Sequence, residues 1–146
     1  MSERVRIYEV GPRDGLQNEP RPIPTADKVR LVDLLADAGF RWIEAASFVN
    51  PARVPQMADG AGVLAAVRRP PGVTFAALVP NMRGYEAARA AQADEVAVFA
   101  SASEGFSRAN VNASIDESLE RFRPVADAAR RDGIPLRGYV SCVTDC

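Results

Sequence analysis

Short apolar runs alternate along the chain with longer stretches whose apolar residues recur every three or four positions. The runs are 5–10 (VRIYEV), Trp42–Ser47 (WIEAAS), 74–79 (TFAALV), 95–100 (EVAVFA) and 136–142 (LRGYVSC). Each has the length of a strand and is bounded by Gly, Pro, Asp or Asn. The intervening stretches read as helices. Thr25 is placed to cap a helix carrying Val29, Val32, Leu35 and Ala38, with Gly39 as its stop. A second helix is predicted over 60–68, ended by Pro70-Pro71, and a third over 83–91, capped by Asn81. Ser114 and Glu117 form a capping box ahead of Leu119, Phe122, Val125, Ala126 and Ala129, and Gly133 closes that helix.

Strands separated by helices imply βαβ units and a parallel sheet. Two architectures satisfy that pattern, an open doubly wound sheet and a (β/α)₈ barrel. The 146 residues suit five strands of an open sheet, whereas a complete barrel takes about 250 residues. The polar residues point the other way. Arg13, Asp14 and Gln17 follow the first run, Glu44 and Ser47 end the second, and Asn81 follows the third; Ser101 and Ser103 follow the fourth, and Ser141 and Cys142 end the fifth. Ligands bind at the C-terminal strand ends of parallel folds, and polar groups on every consecutive strand fit a ring better than one switch point.

Composition excludes several classes of function. Apolar residues make up 47% and charged residues 25%, the balance of a globular domain. A net charge of -1 with no Lys/Arg cluster argues against nucleic acid as a partner. Arg68-Arg69 and Arg130-Arg131 read as solvated helix faces. No stretch is long enough to span a bilayer and the start has no secretory apolar core, so a cytoplasmic protein without a membrane partner is expected. The chain has no histidine, which removes Ser-His and Cys-His pairs and histidine metal ligands from its own repertoire. Cys142 and Cys146 supply only half of a structural zinc site.

Glu44 is the sharpest anomaly, a carboxylate inside a strand whose faces should both be buried. Such a group must be paired, bind a metal or hold its proton. From the residues alone, an arginine ion pair and a functional role weigh about equally. The Asp14-Gly15 dipeptide is by itself an ordinary turn signal.

The segments 9–19 (EVGPRDGLQNE), 43–59 (IEAASFVNPARVPQMAD), 78–88 (LVPNMRGYEAA) and 137–142 (RGYVSC) resemble, in order and from end to end, 3-hydroxy-3-methylglutaryl-CoA lyases. These belong to the metal-dependent barrel lyases and synthases with an Arg-Asp-Gly motif after the first strand. The related isopropylmalate- and citramalate-type synthases usually carry Arg-Asp-Gly-Glu-Gln, whereas Leu16 stands in that place here. The resemblance implies a (β/α)₈ barrel of which this chain supplies about the first five βα units, and residues 1–146 as the N-terminal portion of one catalytic domain. It implies retro-Claisen cleavage to acetyl-CoA and acetoacetate, Mg²⁺ or Mn²⁺ as cofactor, and an acyl-CoA substrate.

Residue by residue, the resemblance makes Arg13 the group that stabilises the enolate, Asp14 a metal ligand, and Glu44 a catalytic or orienting carboxylate. Gln17, Asn81 and Ser141, with Arg13, become substrate contacts, and Cys142 a pocket residue. Family members place a His-x-His pair and a cysteine-bearing glycine-rich loop in a second half. The chain is therefore expected to be a fragment that pairs with that half or forms a homodimer. The alternatives are a half-barrel that binds acyl-CoA without cleaving it, and a synthase of the related type. Strands one and five should be exposed apolar edges unless another chain covers them.

Overall fold

The computed structural model describes residues 5–145. Strands β1 (Tyr8–Glu9), β2 (Trp42–Ser47), β3 (Thr74–Leu78), β4 (Glu95–Ser101) and β5 (Leu136–Ser141) form one sheet in chain order, every pair parallel. Helices α1 (Thr25–Asp37), α2 (Gly60–Ala66), α3 (Met82–Ala90), α4 (Glu104–Val111) and α5 (Ile115–Asp132) lie between them. Consecutive right-handed crossovers place the helices on one side of such a sheet.

The sheet is curled. The Tyr8 hydroxyl on β1 donates to Glu95 on β4 at 2.9 Å, and the Tyr139 hydroxyl on β5 donates to Glu44 on β2 at 2.7 Å. Strands three positions apart in a flat sheet are separated by about 14 Å, so both bonds require the inner face to fold toward itself. The architecture is a partial (β/α)₈ barrel, and the ring of polar strand ends outweighs the argument from length.

The main core fills the layer between sheet and helices. Ile43, Phe75, Val79 and Val96 are fully buried against Val32, Val63, Leu64, Tyr85, Ala88 and Val125. The register shifts in β2, where Glu44 pairs with Ala76 but Ala46 with Ala77, leaving Ala45 as an extra residue. This bulge re-aims the strand just beyond Glu44. Gly84 lets α3 approach the Phe48 carbonyl, since a Cβ there would lie 2.9 Å from it.

Several expectations are corrected. The first strand shrinks from six residues to two, because only Tyr8 and Glu9 find partners on β2 and Val10 already opens the next turn. Thr25 is the first residue of α1 rather than its cap. Pro24 precedes it without a side-chain cap bond, and the Thr25 hydroxyl donates instead to Asp59 at 2.7 Å. The second helix ends at Ala66, with Val67 already extended. Arg68 and Arg69 therefore lie beyond it and tie down the turn, Arg68 to Asp33 and Asp37, and Arg69 to Asp94. Helix α4, capped by Ser103, was not anticipated, since eight residues carry too little periodicity.

The caps at Asn81 and Ser114 form as expected, the latter with its reciprocal Glu117 bond. Apolar side chains are indeed exposed at the sheet edges, with Ile7 65%, Val140 60% and Val143 70% accessible. Cys146 lies outside the described residues.

Candidate functional site

The segment Gly11–Gly15 forms one wide π-helical turn directly after β1. Pro12 at its start fixes φ and needs no N–H partner, and the amides of Arg13 and Asp14 both donate to the Val10 carbonyl, at 3.1 and 2.7 Å, which anchors the head of the turn. The turn swings Arg13 over the inner face of the sheet. There its Nε donates to Glu44 Oε1 at 2.5 Å, while one terminal nitrogen reaches Asp14 at 2.8 Å.

Glu44 is completely buried, and its other oxygen accepts from Tyr139. One carboxylate therefore joins the β1 loop, β2 and β5, with both oxygens bonded. The ion-pair reading of Glu44 is realised, and the same pair orients Arg13. Burial, and then the adjoining Glu44 carboxylate, push the Tyr139 phenol well above its ordinary range, so it stays a proton donor. Tyr139 was missed in the sequence, although its alternation with Arg137 and Ser141 on one face of β5 was the available signal.

A cleft of about 1050 Å³ opens above this cluster at the C-terminal strand ends. Arg13, Asp14, Gln17, Asn81, Tyr139 and Ser141 all line it, so the predicted site residues are brought together, with Glu44 sealed beneath. Asn81 also has a local duty, since its side-chain oxygen accepts from the Gly84 amide at 3.0 Å. Cys142, expected at the pocket, is a free thiol at φ +57 just past β5 and does not line the cleft, whose wall on this strand ends at Ser141. Helices α4 and α5 add a wall absent from the sequence reading, including Phe106, Asn110 and Arg121. Among the described lining residues three arginines, Arg13, Arg53 and Arg121, face one acid, Asp14. Glu44 beneath and Asp14 beside it offset Arg13, so the remaining positive charge comes from Arg53 and Arg121 on the outer wall, which suits an anionic ligand.

Asp14 is a hard oxygen donor, more than half exposed at the cleft, and fits one ligand position of a divalent cation. No group of three His, Cys, Asp or Glu side chains able to hold a metal occurs among the described residues. These residues alone do not build the site. No described helix is long and apolar enough to cross a membrane.

Comparison with known proteins follows the same lines. The profile of a family described as HMGL-like matches residues 4–145. A 3-hydroxy-3-isohexenylglutaryl-CoA/hydroxy-methylglutaryl-CoA lyase of Pseudomonas aeruginosa is 58% identical over 146 residues, covering 100% of this chain and 49% of that protein. The crystal structure of hydroxymethylglutaryl-CoA lyase from Pseudomonas aeruginosa superposes with a TM-score of 0.95 at 59% identity, over 98% of this chain and 48% of that one. An HMG-CoA lyase from Acinetobacter baumannii, solved in complex with coenzyme A and 3-methylmalate, gives 0.87 at 34% identity, over 92% and 44%. The chain spans about half the length of the curated relatives it matches.

Proposed function

The chain belongs to the HMGL-like family, and from that premise we propose that it carries the N-terminal half of the catalytic barrel of a lyase. The reaction splits 3-hydroxy-3-methylglutaryl-CoA into acetyl-CoA and acetoacetate. The observation that carries this reading is Arg13, held by a buried carboxylate with its guanidinium at a cleft that Arg53 and Arg121 also line.

In the cleavage the C3 hydroxyl loses its proton and the C2–C3 bond breaks. Its electron pair becomes the enolate of acetyl-CoA, C3 becomes the ketone of acetoacetate, and C2 takes up a proton. Charge grows on the thioester oxygen as the bond breaks, and a fixed cation there lowers the barrier. Arg13 supplies that cation at any working pH. Glu44 and Tyr139 hold its plane in place, so little reorganisation is needed during the reaction. Gln17, Asn81 and Ser141 are assigned to substrate contacts around the cleft.

A divalent cation, Mg²⁺ or Mn²⁺, would orient the substrate hydroxyl and ease its deprotonation. Asp14 would give it one oxygen, the other donors and the acid–base group coming from beyond this chain. For residues 1–146 alone the second reading, binding of acyl-CoA without turnover, is favoured by Asp14 being the one carboxylate among the described residues that line the cleft. A cytoplasmic location is proposed with the whole.

The test is acetoacetate formation by the full-length natural protein as Mn²⁺ is varied. Asp14→Ala should raise the Mn²⁺ concentration needed for half activity at least tenfold. An unchanged requirement would refute the ligand role.

A further inference from the structure

A second hollow of about 710 Å³ adjoins the cleft, and Gln17, Arg53 and Val54 line both. Behind this shared wall lies Lys28, a lysine on α1 that is only 5% exposed. Its ammonium donates to Asp59 at 2.7 Å and to the carbonyl of Gln56. The other Asp59 oxygen accepts from Thr25. The Gln56 side chain continues outward, accepting from the Ile23 amide at 3.0 Å and donating to the carbonyls of Arg21 at 2.8 Å and Glu19 at 3.2 Å.

One ammonium and one amide thus fasten three segments together: the start of α1, residues 19–23 that follow the β1 loop, and residues 56–59 that follow the β2 loop. A lysine is withdrawn from water only where its donors are satisfied, and here both partners lie on the loop that carries Arg53, while the Gln56 side chain passes the tie on to residues 19–23 beside Gln17. Arg13 is anchored separately, by Glu44. The network therefore bears on the outer wall of the cleft and leaves the reacting end alone.

We propose that Lys28 is a positioning residue for substrate binding, fixing Gln17 and Arg53 from opposite loops at the spacing that an anionic acyl-CoA requires. The kinetic part of this inference rests on the lyase reading; the structural part does not.

The experiment uses the full-length natural protein, with hydrogen exchange over residues 16–23 and steady-state cleavage of 3-hydroxy-3-methylglutaryl-CoA in Mn²⁺. Lys28→Met should speed exchange at the Ile23 amide at least tenfold and raise KM at least tenfold, with kcat within threefold of wild type. Because Lys28→Met also leaves Asp59 without its cation, the double variant Lys28→Met/Asp59→Leu separates stability from positioning. It should recover the wild-type Tm yet keep the fast exchange and raised KM. Recovery of protection and KM together with Tm would reduce Lys28 to a structural role and overturn the proposal. Should neither variant fold, Gln56→Ala cuts three bonds to residues 19–23 while sparing the Lys28–Asp59 pair. It should show the same exchange and KM signature, and wild-type values would overturn the proposal. If wild type cleaves no substrate, the lyase reading fails, and the exchange data still decide whether the network fixes the loop.

Discussion

Removing the Glu44 carboxylate should be among the most damaging single changes to this fold. Glu44→Ala deletes the counter-charge of Arg13, whose side chain is only 13% exposed, and leaves the Tyr139 hydroxyl without its acceptor. Breaking a buried pair by deleting one partner costs about 3–5 kcal/mol, far more than the net worth of the pair, because the orphaned groups remain desolvated. At about 2 °C per kcal/mol for a large domain, a loss near 4 kcal/mol lowers Tm by ~8 °C. Tyr139→Phe removes only one bond and should cost about 1–2 kcal/mol. In the double variant Tyr139 no longer seeks a partner, so the total should fall short of the sum by at least ~0.5 kcal/mol. Urea unfolding of the full-length natural protein, followed by circular dichroism, gives all three values. A Glu44→Ala loss below ~1 kcal/mol, or strict additivity with Tyr139→Phe, would show that the three groups do not act as one buried cluster.

The tyrosines give a spectroscopic prediction. Burial and neighbouring carboxylates raise all three phenols, Tyr8 beside Glu95, Tyr85 beside Asp132 and Tyr139 beside Glu44. Each raised value adds stability that is complete below the unfolded pKa near 10 and is lost as pH climbs above it toward the folded value. The 295 nm absorbance assigned to Tyr8, Tyr85 and Tyr139 by difference from their Phe variants should appear only above the pH at which a free phenol ionises, and a midpoint near 10 in folded protein would contradict this. At the acid end, burial alone would raise the Asp59 carboxyl, but hydrogen bonds from Lys28 and Thr25 outweigh it and hold the value below the ordinary range. Its stabilisation is present above about pH 4 and is lost as pH falls through the depressed value. Asp59→Asn should therefore flatten the acid limb of Tm against pH, and an unchanged limb would refute the pairing. Gly84→Ala should destabilise by about 1–3 kcal/mol, since its Cβ would lie 2.7 Å from the Pro80 ring and 2.9 Å from the Phe48 carbonyl; urea unfolding indistinguishable from wild type would show that α3 can shift.

The parts of this fold written in local pattern were readable in the chain. Four of the five strands lie within a residue of their predicted limits, because their apolar runs are bounded by Pro, Gly, Asn and Asp. Glu44 stood out because it is a charge inside a strand that should be buried on both faces, whereas Arg13 and Asp14 read as a plain turn until the family resemblance marked them. What escaped depends on contacts distant in sequence. Tyr139 meets Glu44 across 95 positions, which only the curl of the sheet brings together. Lys28 has the spacing of an ordinary helix surface and is buried only because the loop at Gln56 and Asp59 folds over it. Thr25 looked like a cap because threonine before an apolar helix usually is one, and the Asp59 partner that redirects it is 34 residues away. The first strand fell short because its outer edge has no neighbour among the described residues to hold Val5 and Ile7 in register.

The central claim is that Arg13, fixed by Glu44, stabilises the charge that develops when the carbon–carbon bond breaks. Its most direct test is product formation from 3-hydroxy-3-methylglutaryl-CoA by the full-length natural protein and by Arg13→Met, with substrate binding measured alongside. Wild type should release acetoacetate and acetyl-CoA in equal amounts. Arg13→Met leaves the buried Glu44 without its cation and should lower Tm on the scale of Glu44→Ala; the folded variant should keep metal binding but lose at least a thousandfold in kcat. Turnover in Arg13→Met within tenfold of wild type, or no acetoacetate from the wild-type protein at saturating Mn²⁺, would contradict the account.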